Sequence, residues 1–299
     1  MKVINLLACC LLLGAFSCSC DKGKEDPTKP KLETANISVM SFNVRSATIT
    51  ADTGDRSWDK RKYAVQNMMK EVKPDVIGMQ ECTTKQRADL TSMLEGYELF
   101  EVPGTGGSKG GNTVIMYNTA VLEALQCKSF FLSSTPDKAS VNGWNEETQY
   151  RTTIWAQFRH KESGRVFFVA DTHMPLGSEE RDNTARINSA NLNISRMKAA
   201  AGEDGIVFII GDMNCSREST VTGKCLDPYY SWMSNAREKA VKTDATLSYN
   251  NYGGSSNSNI DFIFYRNVIV SEFRTVSSKN YGVSYISDHY PIICYATIL

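Results

Sequence analysis

Six short polar clusters punctuate the apolar stretches of this 299-residue chain. They are Asn43, Gln80-Glu81, Asp171-Thr172-His173, Gly211-Asp212-Met213-Asn214, Ile260-Asp261 and Ser287-Asp288-His289. Asn43, Glu81 and Asp288 are hard oxygen donors, suited to Mg²⁺ or Mn²⁺ and not to zinc. His289 follows an acid and has Asp261 as a candidate orienting partner, the His–Asp pairing of general-base catalysis. Asp212 and Asn214 carry groups able to align a nucleophilic water and to donate to a phosphoryl oxygen. A hard metal with such groups hydrolyses phosphoryl centres without a covalent intermediate. Taken singly, each cluster has a plainer meaning. A strand-end Asp is usually a turn or N-cap residue, GDMN alone is most often a turn, and Asp261 alone reads as a buried structural acid. Six in order are hard to obtain from turn chemistry.

The elements that must position them are strands alternating with helices. Ile37 to Val44, Val76 to Met79, Thr113 to Tyr117, Thr153 to Arg159, Val166 to Asp171, Ile206 to Ile210, Ile260 to Tyr265 and Pro291 to Ile298 read as strands from their β-branched and aromatic content. Helical spacing runs through Trp58 to Lys73 (Val65, Met68, Met69, Val72), Thr83 to Glu95, and Glu179 to Ala201 (Ile187, Ala190, Ile194, Met197, Ala201). Most of the buried strands stop at one of the six clusters, and ligand sites on α/β scaffolds favour strand ends. The pattern predicts one layered α/β domain with no internal repeat.

The first residues read as an address. Lys2 precedes the apolar run Leu6 to Phe16, too short to span a bilayer and suited to the hydrophobic region of a secretory signal. Ala15-Phe16-Ser17-Cys18 resembles a bacterial lipobox, with Ala15 where Leu is usual. Cys18 is therefore the lipidation candidate and Cys20 the second. The expected organisation is a signal peptide over 1–17, a lipid-anchored tether over 18–36 and a catalytic domain over 37–299. The tether is charged, contains prolines and is almost devoid of apolar residues. The whole chain carries 33 Lys+Arg against 33 Asp+Glu. Without leader and tether the domain is near −1, which argues against electrostatic gripping of long nucleic acid. Five of nine cysteines remain in the domain, without CxxC spacing, so a structural zinc site is not expected. Cys215 and Cys225 are a candidate bridge in an oxidising compartment.

Phe42-Asn43, Gln80-Glu81, Thr172-His173, Gly211-Asp212-Met213-Asn214, Ile260-Asp261 and Ser287-Asp288-His289 resemble the successive motifs of the endonuclease/exonuclease/phosphatase superfamily, which includes DNase I, exonuclease III, sphingomyelinases and inositol-polyphosphate 5-phosphatases. The resemblance spans roughly Ile37 to Leu299. Trp58-Asp59-Lys60-Arg61, the Phe130 to Pro136 stretch and Gly143-Trp144 are similar to a bacterial secreted branch. The implied fold is a four-layered α/β sandwich, with two packed, mainly antiparallel sheets flanked by helices and a cleft at one edge.

The resemblance also implies roles. Glu81 is the principal metal ligand, with Asn43 and Asp288 completing the sphere directly or through water. His289, oriented by Asp261, either polarises the scissile phosphate or acts as base. Asp212 positions the attacking water, and Asn214 stabilises the transition state. His173 contacts the phosphate or assists the leaving group, and Arg151 binds phosphate unless it is an ordinary surface strand arginine. The implied cofactor is Mg²⁺, with Mn²⁺ as substitute.

Departures from the pattern fall mainly beside His173. Asp171 stands where many relatives have Asn, Met174-Pro175-Leu176 follows His173, and Asn112 stands near where a supporting Glu often lies. Thr83 replaces the arginine that DNase I carries after its metal glutamate, and the 5-phosphatase signatures are missing. The expected function is divalent-metal-dependent hydrolysis of phosphoric esters, of phosphodiesterase or nuclease type. Phosphomonoesterase action on sugar, inositol or lipid phosphates is the alternative. A non-catalytic surface-binding lipoprotein is disfavoured because the polar set is complete. The partners expected are a phosphoester substrate and, through the N-terminal lipid, the bacterial envelope membrane outside the cytoplasm. The protein itself is expected to be a monomer without a protein partner.

Overall fold

The computed structural model describes residues 33–106, 110–141, 143–146, 148–277 and 279–299, all within one compact unit. The signal peptide, most of the tether, and Cys18 and Cys20 lie outside the described residues. The strands are β1 (Ala35–Asn43), β2 (Val76–Gln80), β3 (Tyr97–Glu101), β4 (Val114–Asn118), β5 (Leu122–Phe131), β6 (Thr152–His160), β7 (Val166–His173), β8 (Val207–Asp212), β9 (Ser234–Asn235), β10 (Asp261–Arg266), β11 (Ile269–Thr275) and β12 (Ile292–Ile298). The helices are α1 (Trp58–Val72), α2 (Thr84–Met93), α3 (Glu180–Ala201), α4 (Asp227–Trp232) and α5 (Ala236–Lys239). β1 starts within the stretch expected to be tether, because Ala35 and Asn36 pair with Ile298 and Thr297.

Two six-stranded sheets form, in the orders β11-β12-β1-β2-β4-β3 and β5-β6-β7-β8-β10-β9. Each has one parallel pair at its centre, β1 with β2 and β7 with β8, and is otherwise antiparallel. The period-two alternation of strand side chains sorts the apolar residues into three layers. Ile37, Val39, Val76 and Ile115 face Val169, Phe208 and Ile210 between the sheets. Met40, Phe42, Ile77 and Met79 pack outward on Ala64, Val65, Met68 and Met69 of α1. Phe168, Ala170, Val207 and Ile209 pack outward on Ala190 and Met197 of α3 and Tyr229 of α4. Three apolar layers between four layers of elements make the α/β sandwich that the motifs imply.

Helix ends follow local chemistry. Thr83 and Gln86 form a capping box at α2, and Glu179 and Asp182 form one at α3. α1 stops at Lys73, which adopts the left-handed region (φ 50°) just before Pro74.

β3, β5, β9 and β11, which sequence periodicity does not single out, are the four sheet edges. An edge strand meets water along one side, so it needs no continuous apolar run. β5 and β11 also carry register shifts, between Ala124 and Gln126 and between Val270 and Glu272. Each shift breaks the alternation that would have marked the strand.

Candidate active site

The sheet registers alone bring the six clusters to one rim. Parallel β1 and β2 end side by side, with Asn43 beside Gln80. Parallel β7 and β8 end likewise, with His173 beside Asp212. Antiparallel β10 begins where β8 ends, so Asp261 lies beside Asp212. The segment entering β12 brings Asp288 and His289 to the same end, where Tyr249 bridges to His289. Gly211 permits the close approach of β7 and β8, because a Cβ there would lie 1.8 Å from the Thr172 carbonyl oxygen.

Three residues just past the strand ends turn through the left-handed region: Arg45 (φ 57°), Glu81 (φ 59°) and Asn214 (φ 49°). For Arg and Glu this costs roughly 1–2 kcal/mol each, a strain that clusters at functional sites and that local hydrogen bonds must hold. Asn43 Oδ1 accepts from the Arg45 amide at 3.0 Å, and Glu81 Oε2 accepts from the Ser46 amide at 2.9 Å. Asp212 Oδ1 accepts from the Asn214 amide at 2.9 Å.

A cavity of about 480 Å³ opens over this rim, lined by Glu81, Arg151, His173, Asp212, Asn214, Asp288 and His289, with Arg45, Tyr150 and Tyr249 among the remaining walls. Gly110, Gly111 and Asn112, just before β4, also line it. Asn43 and Asp261 lie beneath. Asn43 Nδ2 donates to Glu81 Oε1 at 3.1 Å and to Asp212 Oδ2 at 3.0 Å. Its amide therefore links two carboxylates while its own oxygen faces the Arg45 backbone. Asp261 is buried, and its Oδ2 accepts from His289 Nδ1 at 2.8 Å. All nine candidate site residues of the domain thus belong to one assembly.

The two histidines of this assembly differ in electrostatics. Burial opposes charge on His289, but Asp261, by its charge and hydrogen bond, outweighs it together with Asp212 and Asp288. The result is a pKa raised to about 10. His173 Nε2 lies 3.0 Å from Arg151 Nη1. A guanidinium only donates, so this nitrogen accepts and the ring is neutral, with its proton on Nδ1. Burial, then the Arg151 and His289 charges, hold His173 well below the ordinary imidazole range. Asp212 Oδ2 lies between the rings, 3.5 Å from His173 Nε2 and 3.8 Å from His289 Nε2. Burial and the Asp261 charge raise Asp212 to about 7, against the pull of His289 and the hydrogen bonds from Asn214 and Asn43. Burial also raises Asp288, opposed by His289 and Arg45.

Ligating atoms of Asp212, Asp261 and His289 lie within 4.8 Å of one another. Histidine binds metal as a neutral ring, and here Nδ1 is already committed to Asp261. Asp261 and His289 are hydrogen-bonded, while His289 Nε2 and Asp212 Oδ2 stand 3.8 Å apart, and it is the charge held on the His289 ring that disfavours ligation by it. Glu81 and Asp288, both on the cavity wall, carry the hard oxygen donors that a divalent cation prefers.

Several supporting residues escape sequence reasoning. Arg61, fully buried, donates to four backbone carbonyls: Arg56 (2.7 Å), Val44 (2.7 Å), Arg45 (3.0 Å) and Ile286 (3.0 Å). It ties the turn after Asn43 to the segment before Asp288. Its only sequence signal is its place in Trp58-Asp59-Lys60-Arg61. Arg45 pairs with Asp288 Oδ2 at 3.1 Å and Asp52 Oδ2 at 3.0 Å. Tyr249 packs edge-on to His289, with ring centroids 5.0 Å apart. Asp171, by contrast, already stands out in the sequence beside His173; it is fully buried and accepts from Gln80 Nε2 at 2.5 Å. It fills the space left by Gly78, where a Cβ would lie 2.6 Å from its Cγ.

The chain is 24% identical over 207 residues to a 5'-tyrosyl-DNA phosphodiesterase of Caenorhabditis elegans, covering 69% of this chain and 51% of that protein. It thus spans about half the length of the curated relative it matches. Among solved structures, an endonuclease/exonuclease/phosphatase from Bacteroides vulgatus superposes with a TM-score of 0.77 at 25% identity, covering 88% of this chain and 98% of that one. A mannosyl-6-phosphatase from Bacteroides thetaiotaomicron superposes with a TM-score of 0.75 at 26% identity, covering 87% and 99%. A family model matches residues 40–289, from within β1 to His289 itself, so every residue of the rim lies in the matched part: the chain belongs to the Endonuclease/Exonuclease/phosphatase family.

Proposed function

We propose that this phosphoester hydrolase is divalent-cation-dependent and acts on phosphodiesters. The observation that carries the reading is the convergence of Asp212, the Asp261–His289 pair, Glu81 and Asp288 on one cavity. Glu81 and Asp288 hold the cation, Mg²⁺ or Mn²⁺, with Asn43 bracing the Glu81 carboxylate. When bound, the cation neutralises charge on the phosphoryl oxygens. His289, protonated near neutrality because of Asp261, donates from Nε2 to the scissile phosphate. Of the two roles that the resemblance leaves to this residue, the raised proton affinity favours polarisation over base catalysis. Asp212, with its pKa near 7, then orients the attacking water and accepts its proton. Asn214 and Arg151 donate to phosphoryl oxygens, and neutral His173 stands at the leaving-group side.

Phosphomonoesterase action is the second reading. The cavity of about 480 Å³ suits a compact substrate, the domain lacks a basic surplus, and the mannosyl-6-phosphatase relative acts on such a compound. A further part of the proposal is export and lipid anchoring at Cys18 in the bacterial envelope, which rests on the N-terminal sequence. Among the described residues no helix is long and apolar enough to cross a membrane.

The test uses the full chain with bis-p-nitrophenyl phosphate, p-nitrophenyl phosphate and hexose 6-phosphates, in Mg²⁺, Mn²⁺ or EDTA. Diester turnover that EDTA abolishes and that Glu81→Gln lowers by about a hundredfold or more is expected. Turnover of monoesters alone selects the second reading. No turnover of any substrate, or full activity in EDTA, overturns the cation-dependent mechanism. Mass spectrometry of the mature N-terminus is expected to find an acylated Cys18, and an unmodified start elsewhere removes the anchor.

A further inference from the structure

We propose that Cys215 and Cys225 form a disulfide that closes the loop directly behind Asn214 when the chain folds in the presence of a disulfide oxidant. The five cysteines of the folded unit are present as thiols. Cys215 and Cys225 are buried in the same outer layer, beneath α3 and α4, and their side chains interact directly. Cys82 lies in the opposite outer layer, while Cys294 and Cys127 belong to the middle one, on β12 and β5.

The chain between the two cysteines already runs as a closed loop with paired limbs. Thr222 Oγ1 meets the Ser216 amide at 3.4 Å, and the Gly223 amide donates to the Ser219 carbonyl at 2.9 Å. Arg217 Nη1 donates to the Gly223 carbonyl at 3.1 Å. The limbs approach so closely that a Cβ on Gly223 would lie 2.6 Å from the Arg217 carbonyl oxygen. The cysteines sit just outside these pairings, where a crosslink would clasp the base of the loop. Cys225 Sγ is 3.4 Å from Asn183 Oδ1, and Asn183 also accepts from Arg186 Nη2 at 2.6 Å, so a buried guanidinium stands close by. The neighbouring Cys215 thiol pulls the Cys225 thiol down to about 6, burial opposes, and Arg186 adds to the pull. Cys225 and burial push the Cys215 thiol up.

Before the loop packs, the thiolate of one of the two cysteines attacks one sulfur of the oxidant disulfide and releases one oxidant thiolate. The other cysteine then gives up its proton and attacks the protein sulfur of the mixed disulfide, releasing the second oxidant thiolate. Two cysteine thiols lose two protons and two electrons, and the oxidant disulfide becomes two thiols. Both sulfurs are buried in the folded chain, so the exchange precedes packing of the loop. The crosslink then fixes the backbone that follows Asn214.

The full chain, refolded in reduced and oxidised glutathione, is to be denatured in guanidinium with iodoacetamide and mapped by mass spectrometry. One peptide joining Cys215 to Cys225 is expected, with label at both positions only after reductant. Label on both without reductant, or pairing of either with another cysteine, overturns the proposal. Reductant is expected to lower the Tm of the oxidised wild-type chain by roughly 5–10 °C and to leave Cys215→Ser and Cys225→Ser unshifted. An equal reductant shift in those variants overturns it independently.

Discussion

His289, in the segment before β12, and His173, at the end of β7, approach the same carboxylate oxygen of Asp212, yet they hold protons with opposite tendencies. Both rings pay a desolvation cost that favours the neutral form. The difference lies in the second nitrogen contact. His289 Nδ1 faces Asp261, whereas His173 Nε2 faces Arg151. One partner charge therefore makes a protonated donor of one histidine and a neutral acceptor of the other. Residue type alone would have treated them as equivalent, and the charged neighbour in space sets them apart.

The largest test is to delete each ring. His289→Ala is expected to lower kcat by about a thousandfold, within the range for losing a transition-state donor. His173→Ala should cost about tenfold, within the spread of lesser contacts. Equal losses in steady-state assays would collapse the distinction between the two.

Asp261→Asn sharpens the comparison by removing only the charge partner. The raised His289 pKa contributes stability that is fully present below the ordinary imidazole pKa of about 6.5. That contribution is lost as pH rises from there through about 10. Thermal unfolding across this window should show that decline in the wild-type chain and a flattened one in Asp261→Asn. An unchanged slope would remove Asp261 as the cause. The same variant should lower kcat by about a hundredfold.

The converse experiment is Arg151→Met. Without the guanidinium, His173 should titrate at a higher pH, moving toward the ordinary range, as followed by NMR of the ring protons. The His289 titration should stay in place. A static His173 titration would assign its low proton affinity to burial and the His289 charge.

The smallest effect is expected behind His173. Burial raises the Asp171 carboxyl well above the usual range, against the Gln80 hydrogen bond. A raised acid favours folding below its unfolded pKa, and that contribution is lost as pH rises from about 3.8 toward the folded value. Asp171→Asn should remove this loss, leaving stability similar near pH 3.5 and higher by about 1 kcal/mol at neutral pH. Chemical denaturation at the two pH values measures it, and a variant less stable at both would contradict the assignment.

Much of this molecule is legible before folding. The central strands show because both of their faces are apolar, and α1 and α3 show because one stripe of each helix is. The polar clusters stand out because they interrupt those runs. Edge strands such as β5 and β11 stay hidden, since solvent on one side and a register shift remove the periodic signal. Arg61 is hidden for another reason. An arginine surrounded by Lys60 and Lys62 looks like surface charge until the four carbonyls it serves are seen.

By itself, then, the sequence determined the inventory: which residues can do chemistry, their order, and the apolar alternation that obliges the strands carrying them to stack in layers. Only the tertiary structure decided their convergence. Asn43 and Asp288 are separated by most of the chain and meet because β1 lies between β2 and β12. Proton affinity was decided there too, because it depends on burial and on charges a few ångströms away, and neither is a property of neighbours along the chain.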